Sequence, residues 1–99
     1  MTYRMMELLM TICEMHGVTV GEVFYFLRNP NKFNNNKTSG KRNIVNVIGI
    51  FVYWCSYKYR INIEQVCQFL EFKHRQRGYN YYQVGFEISM ETKKAIKCK

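Results

Sequence analysis

The residues with the most binding chemistry lie together near the C-terminal end: Lys73, His74, Arg75, Gln76 and Arg77, then Tyr79, Asn80 and Gln83. Guanidinium and ammonium groups anchor phosphates, and arginine also reads guanine edges. Asn and Gln carry a paired donor and acceptor that match adenine. A second basic cluster, Lys37, Lys41 and Arg42, sits mid-chain. These two groups form the candidate binding set: Lys37, Lys41, Arg42, Lys73, Arg75, Gln76, Arg77, Tyr79, Asn80 and Gln83. The overall charge points the same way. The chain carries +8, every acid is Glu, and residues 23–63 hold seven Lys or Arg and no acid. A field of one sign on a small domain favours a polyanionic partner, nucleic acid first and an anionic membrane second. The plainer alternative is a solvated basic surface.

Other chemistries find little support in the residue types. Cys13, Cys55, Cys67 and Cys98 include no C-x-x-C pair, and His16 and His74 add no ligand pair at metal spacing. No metal and no cofactor are expected. Three of the cysteines fall in apolar helical patterns, where Cys acts as a small hydrophobe, so reduced core thiols are expected. Asp is absent, and neither His has a nucleophile or carboxylate at readable spacing. The chain is therefore expected not to be an enzyme and to have no small-molecule substrate. The most apolar stretch, residues 44–57, is shorter than the ~20 residues that span a bilayer. Residues 5–13 are interrupted by Glu7 and lack a small-residue cleavage site, unlike a signal peptide. A soluble, cytoplasmic, nucleoid-associated protein with no membrane partner is expected.

These residues need a scaffold, and the pattern is helical throughout. Ninety-nine residues, 47% of them hydrophobic, suit one domain with a modest core. Residues 44–57 predict a central helix that is apolar nearly all round. Ile44, Val47, Phe51, Cys55 and Tyr59 share one face, Ile48, Val52 and Trp54 widen it, and Trp54 is expected to be largely buried. Before it, residues 3–15 predict a helix with Met6, Leu9, Met10, Cys13 and Met15 inward, closed by Gly17. Thr19-Val20-Gly21-Glu22 reads as a capping box opening a helix over 20–27. Residues 29–42 read as a basic flexible loop. Asn62-Ile63-Glu64-Gln65 is a second capping-box pattern and predicts a helix over 63–72. A basic turn at 73–78 then leads to a last helix over about 79–96. The expected fold is all-α, with five helices (four to six) in a single helix-turn-helix domain over residues 1–99. In such a motif the second helix enters the major groove with its first residues at base edges.

Three stretches resemble the C-terminal DNA-binding domain of the bacterial replication initiator DnaA, in the Trp-repressor-like helix-turn-helix group. Ile12-Cys13-Glu14-Met15-His16-Gly17-Val18-Thr19-Val20-Gly21-Glu22-Val23 is similar to that family's opening helix, turn and second helix. Lys41-Arg42-Asn43-Ile44-Val45 is similar to its basic loop running into a long helix. Asn62-Ile63-Glu64-Gln65-Val66 is similar to the helix that opens its helix-turn-helix. Where that family has an arginine inside the start of the long helix, this chain has Val47-Ile48. In place of its Asp-His-(Ser/Thr)-Thr motif stands Arg77-Gly78-Tyr79-Asn80 or, in a shifted alignment, His74-Arg75-Gln76-Arg77. No G-x-x-x-x-G-K-[ST] occurs, so nothing here resembles the initiator's ATPase domain. The resemblance implies a double-stranded DNA partner and a role in replication or transcription control, in a phage, mobile element or bacterium. Two other readings remain open. One is a helical adaptor that meets a host or viral protein through Phe33 and Tyr82. The other is a single-stranded nucleic-acid or RNA binder that stacks bases on Tyr79, Tyr81 and Tyr82.

Overall fold

The structure, a computed structural model, describes residues 2–29 and 38–97, with side chains described for 3–29 and 42–91. Five α-helices follow one another: α1 (Thr2–Met15), α2 (Val20–Arg28), α3 (Thr38–Tyr53), α4 (Ile63–Phe69) and α5 (Arg75–Lys97). A π-helical turn, Trp54–Lys58, continues α3. The domain is all-α, and no strand occurs among the described residues.

Local chemistry sets most of the helix ends. The Thr19 hydroxyl accepts the Glu22 N–H at 3.0 Å, and the Thr19 N–H donates back to the Glu22 carboxylate at 3.2 Å. That is the reciprocal capping box read in the sequence. At α4 the Asn62 side chain accepts the Glu64 N–H at 2.9 Å, which satisfies one orphan donor of the first turn.

Three helix stops share one device. Gly17, Arg60 and Glu71 all have positive φ, at 68°, 55° and 63°. Each is followed by a buried apolar residue: Val18, Ile61 and Phe72. After α1, the Val18 N–H reaches the Cys13 carbonyl and the Gly17 N–H reaches that of Glu14, which is a Schellman closure. After α4, Phe72 to Cys67 and Glu71 to Gln68 repeat it. After the π-turn, the Ile61 N–H reaches the Cys55 carbonyl at 2.8 Å, one residue further back. Only the first stop uses glycine. A left-handed conformation costs about 1–2 kcal/mol in a residue with a Cβ. Arg60→Gly should therefore raise stability by about 1 kcal/mol, read as a higher urea midpoint at unchanged slope. An unchanged or lower midpoint would mean the Arg60 side chain holds the turn.

The core lies around α3. Ile44, Val47, Ile48, Phe51, Val52 and Cys55 are buried, as the apolar run predicts. Phe51 and Phe24 both pack on Phe69, with ring centroids 5.6 and 6.0 Å apart, which ties α2, α3 and α4 together. Cys13, Cys55 and Cys67 are buried free thiols, and burial pushes the Cys55 thiol up to about 12. Helices α3 and α5 cross where Gly49 meets Gly85. A Cβ on Gly85 would strike the Gly49 carbonyl and lie 2.5 Å from the Tyr53 Cβ.

Several expectations need correction. The buried face of α1 is Met5, Leu9, Ile12 and Cys13, while Met10 and Met15 point outward. With Met5-Met6 and Leu8-Leu9-Met10 apolar in succession, the sequence leaves the facing side of α1 open. Helix α3 starts at Thr38, so residues 38–42 are helical rather than part of the loop. Gly40 reads as a turn residue, but one glycine inside a helix costs only about 1 kcal/mol. Residues 30–37 of the expected loop, Lys37 and Phe33 among them, lie outside the described residues. Trp54 is only partly buried, and Tyr59 is half exposed. The π-turn is the reason: its Tyr59 N–H to Trp54 carbonyl bond, 3.1 Å, breaks the 3.6-residue phase that placed Tyr59 inward.

Candidate nucleic-acid interface

Helix α4, the turn at 70–74 and the first turns of α5 form a helix-turn-helix unit that several contacts hold rigid. Phe72 is buried and stacks on Tyr81, with centroids 5.6 Å apart and planes 15° apart. The Arg77 guanidinium lies 4.9 Å over the other element of that stack, the Phe72 ring. Gly78 lets α5 close on α4, because a Cβ there would come within 2.5 Å of the Cys67 sulfur. Arg75 pairs with Glu64 at 3.1 Å, joining the first turns of the two helices. Arg28, at the end of α2, makes two hydrogen bonds to the Glu71 carboxylate, at 3.1 and 3.2 Å. That guanidinium, by hydrogen bond first and charge second, holds the Glu71 carboxyl below its ordinary value, and Arg28 is raised in return.

Helix α5 starts at Arg75, four residues earlier than the sequence predicts. The segment 75–78, expected in a turn, is its first turn. Gly78 reads as a breaker in the sequence, but here it is a packing residue. Helix α4 correspondingly stops at Phe69 rather than 72, because Glu71 takes the left-handed conformation without a glycine to announce it.

The candidate residues separate into three groups. Lys73, Arg75, Gln76, Tyr79, Asn80 and Gln83 are exposed at the turn and the first turns of α5. Gln76 donates to Asn80 at 3.1 Å, and Gln83 donates to Glu87 at 3.4 Å. Gln76, Asn80, Gln83 and Glu87 thus follow one another along one strip. It is neutral through Gln83 and carries a negative charge at Glu87. Arg77 stands apart from this strip. It is partly buried over Phe72 and interacts with the Tyr81 hydroxyl, which burial raises and Arg77 partly offsets. Lys41 and Arg42 belong to a different element, the start of α3. Arg42 is exposed there, and neither it nor Lys73 is in an ion pair among the described residues. Lys37 lies outside the described residues.

The residues that sequence reasoning missed are aromatic. Tyr57 and Phe86 are exposed and join Tyr53 and Tyr82 in one cluster. Tyr53 and Tyr57 are four residues apart, but Tyr82 and Phe86 lie 29 and 33 residues from Tyr53, so no local pattern connects the two halves of the cluster. Among the described residues, no three His, Cys, Asp or Glu are placed to hold a metal ion. No helix among them is long and apolar enough to cross a membrane.

Fold and site define a small all-α domain of the helix-turn-helix kind. No protein-family model, curated protein or solved structure matches the chain.

Proposed function

We propose that this protein binds duplex DNA through the helix-turn-helix unit, with α5 as the recognition helix, as the resemblance to the DnaA C-terminal domain implies. In this reading the domain acts in replication or transcription control by occupying DNA, without catalysis. The observation that carries the reading is the first turns of α5. Gln76, Tyr79, Asn80 and Gln83 are exposed there, behind a braced turn bearing Lys73, with Arg75 at the helix start. The helix N-terminus adds its own positive potential. The start of α5 at Arg75 also favours the alignment that sets His74-Arg75-Gln76-Arg77 against the family's motif. Phosphates fall to Lys41, Arg42, Lys73 and Arg75; base edges fall to Gln76, Tyr79, Asn80 and Gln83. Arg77, held on Phe72, keeps the helix in place and reaches a base only by leaving that ring.

The test starts with selection from random duplexes, followed by variants on the enriched sequence. Lys41→Ala and Arg42→Ala should weaken binding to all duplexes about equally, since phosphate contacts carry no sequence information. Asn80→Ala should cost about 1–3 kcal/mol on the selected site and much less on random DNA. If no sequence is enriched, base reading by Gln76, Asn80 and Gln83 fails.

A further inference from the structure

A group of aromatic rings sits where the π-turn after α3 meets α5. Tyr53 is at its centre and only 6% exposed. The Tyr57 ring stacks on it, with centroids 5.2 Å apart and planes 9° apart. From α5, Tyr82 approaches the Tyr53 ring at 5.2 Å and Phe86 meets it edge-on at 6.1 Å. The outer rings are open to solvent: Tyr57 is 63% exposed and Phe86 39%. Tyr53 covers one face of Tyr57, and most of Tyr57 remains in solvent. Such exposure of large rings exceeds what core packing asks of them.

The charge around the rings selects the partner. Lys58 and Arg60 follow Tyr57, and both are exposed; the Lys58 ammonium lies over the Trp54 and Tyr59 rings, 5.2 and 5.8 Å from their centroids, and must leave them to reach a phosphate beside Tyr57. No acid occurs anywhere in residues 23–63. On α4, Glu64 pairs with Arg75; on α5, Glu87 next to Phe86 accepts from the neutral Gln83 amide and keeps its negative charge. Open rings in a basic segment that lacks acids match unpaired bases on a phosphate chain, which stack on aromatics while Lys and Arg neutralise the backbone. A duplex keeps its base faces inside its own stack and cannot use such a surface. An uncharged apolar peptide would gain nothing from the cationic edge. The π-turn that carries Tyr57 and Lys58 is itself a rare element, frequent at functional sites.

We propose that Tyr57, Tyr82 and Phe86, arranged around Tyr53, form a stacking platform for unpaired bases of single-stranded nucleic acid, with Lys58 and Arg60 at its phosphates. This surface shares no residue with the exposed strip Gln76–Asn80–Gln83 and does not depend on the duplex reading.

The experiment measures fluorescence anisotropy of the full chain with a labelled oligothymidylate of about 16 nucleotides, within the range of single-strand site sizes. A duplex of equal length is measured at the same low salt. The wild type should bind the single strand. Tyr57→Ala and Phe86→Ala should each weaken that binding by about 5- to 100-fold, the worth of one stacked base. Tyr57→Phe should retain it, and Tyr57→Leu should lose it, because leucine keeps apolar bulk without a ring face. Duplex affinity should stay unchanged in all four. Circular dichroism checks that the helices persist; Tyr57, mostly in solvent, carries the test alone if Phe86→Ala unfolds. A wild type that ignores oligothymidylate at low salt overturns the proposal, as do alanine variants that bind it normally. A change in mass by light scattering with unaltered single-strand binding also overturns it and makes the rings a contact between copies. Loss of duplex binding alone would sink the groove reading and leave this one standing.

Discussion

Gly85→Ala should lower stability by about 3 kcal/mol, while Gly21→Ala should raise it by up to about 1 kcal/mol. The two substitutions add the same methyl group to a helix and gain the same helical propensity, ~1 kcal/mol. Their surroundings decide the sign. At Gly21 the new Cβ meets only the Thr19 hydroxyl, 3.8 Å away. At Gly85 it would strike the Gly49 carbonyl and the Cβ of Tyr53. Both obstacles are fixed to the α3 backbone, so the side chains cannot swing aside. The helices must move apart, and the packing around Ile48 and Val52 loosens with them. Overpacking of this kind typically costs about 1–3 kcal/mol, and a clash with backbone belongs at the upper end. For a domain of this size 3 kcal/mol is roughly 12–24 °C in melting temperature. Thermal or urea unfolding of the two variants beside the wild type decides the matter. A Gly85→Ala protein as stable as the wild type would mean that α3 and α5 do not meet backbone to backbone.

Affinity for duplex DNA should fall about 100- to 1,000-fold between roughly 50 and 200 mM salt, the effect of about four to six phosphate contacts at a slope near −0.9 each. Lys41, Arg42, Lys73 and Arg75 supply the first four. Arg75 is held by Glu64, but that pair is exposed, 61% and 56%, and such pairs contribute little. Exchanging the carboxylate for a phosphate is therefore cheap. Arg28 is not counted, because two hydrogen bonds hold it on Glu71. Lys41→Ala and Arg42→Ala should each flatten the slope by about 0.9. Binding that does not respond to salt would point away from phosphates and towards the adaptor reading.

The helical architecture was legible because its determinants are local. The capping box at Thr19 and Glu22 needs four residues, and the stop at Gly17 needs one glycine and the buried Val18. The apolar run over 44–57 could only be the core, whatever packed on it, since so many methyl and ring carbons must leave water. The chemical character of the candidate site was equally plain, because Lys73, Arg75, Gln76, Asn80 and Gln83 are close in sequence.

What tertiary structure decided concerns contacts between distant residues. Gly78 disfavours a helix by about 1 kcal/mol on local grounds, yet it sits inside α5 because its missing Cβ admits Cys67. Glu71 and Arg60 stop their elements in a conformation that glycine usually takes; burial of Phe72 and Ile61 right after them supplies the compensation. Arg77 looked like a base reader by its place in the chain. The Phe72 ring and the Tyr81 hydroxyl hold it back, and that contact exists only once the turn has folded. The phase slip at Trp54–Lys58 turned Tyr59 outward. The ring group of Tyr53, Tyr57, Tyr82 and Phe86 is assembled by the Gly49–Gly85 crossing. Caps and periodicity are written within a few residues. A crossing point depends on the shapes of two surfaces at once, and neither surface exists until both helices have formed.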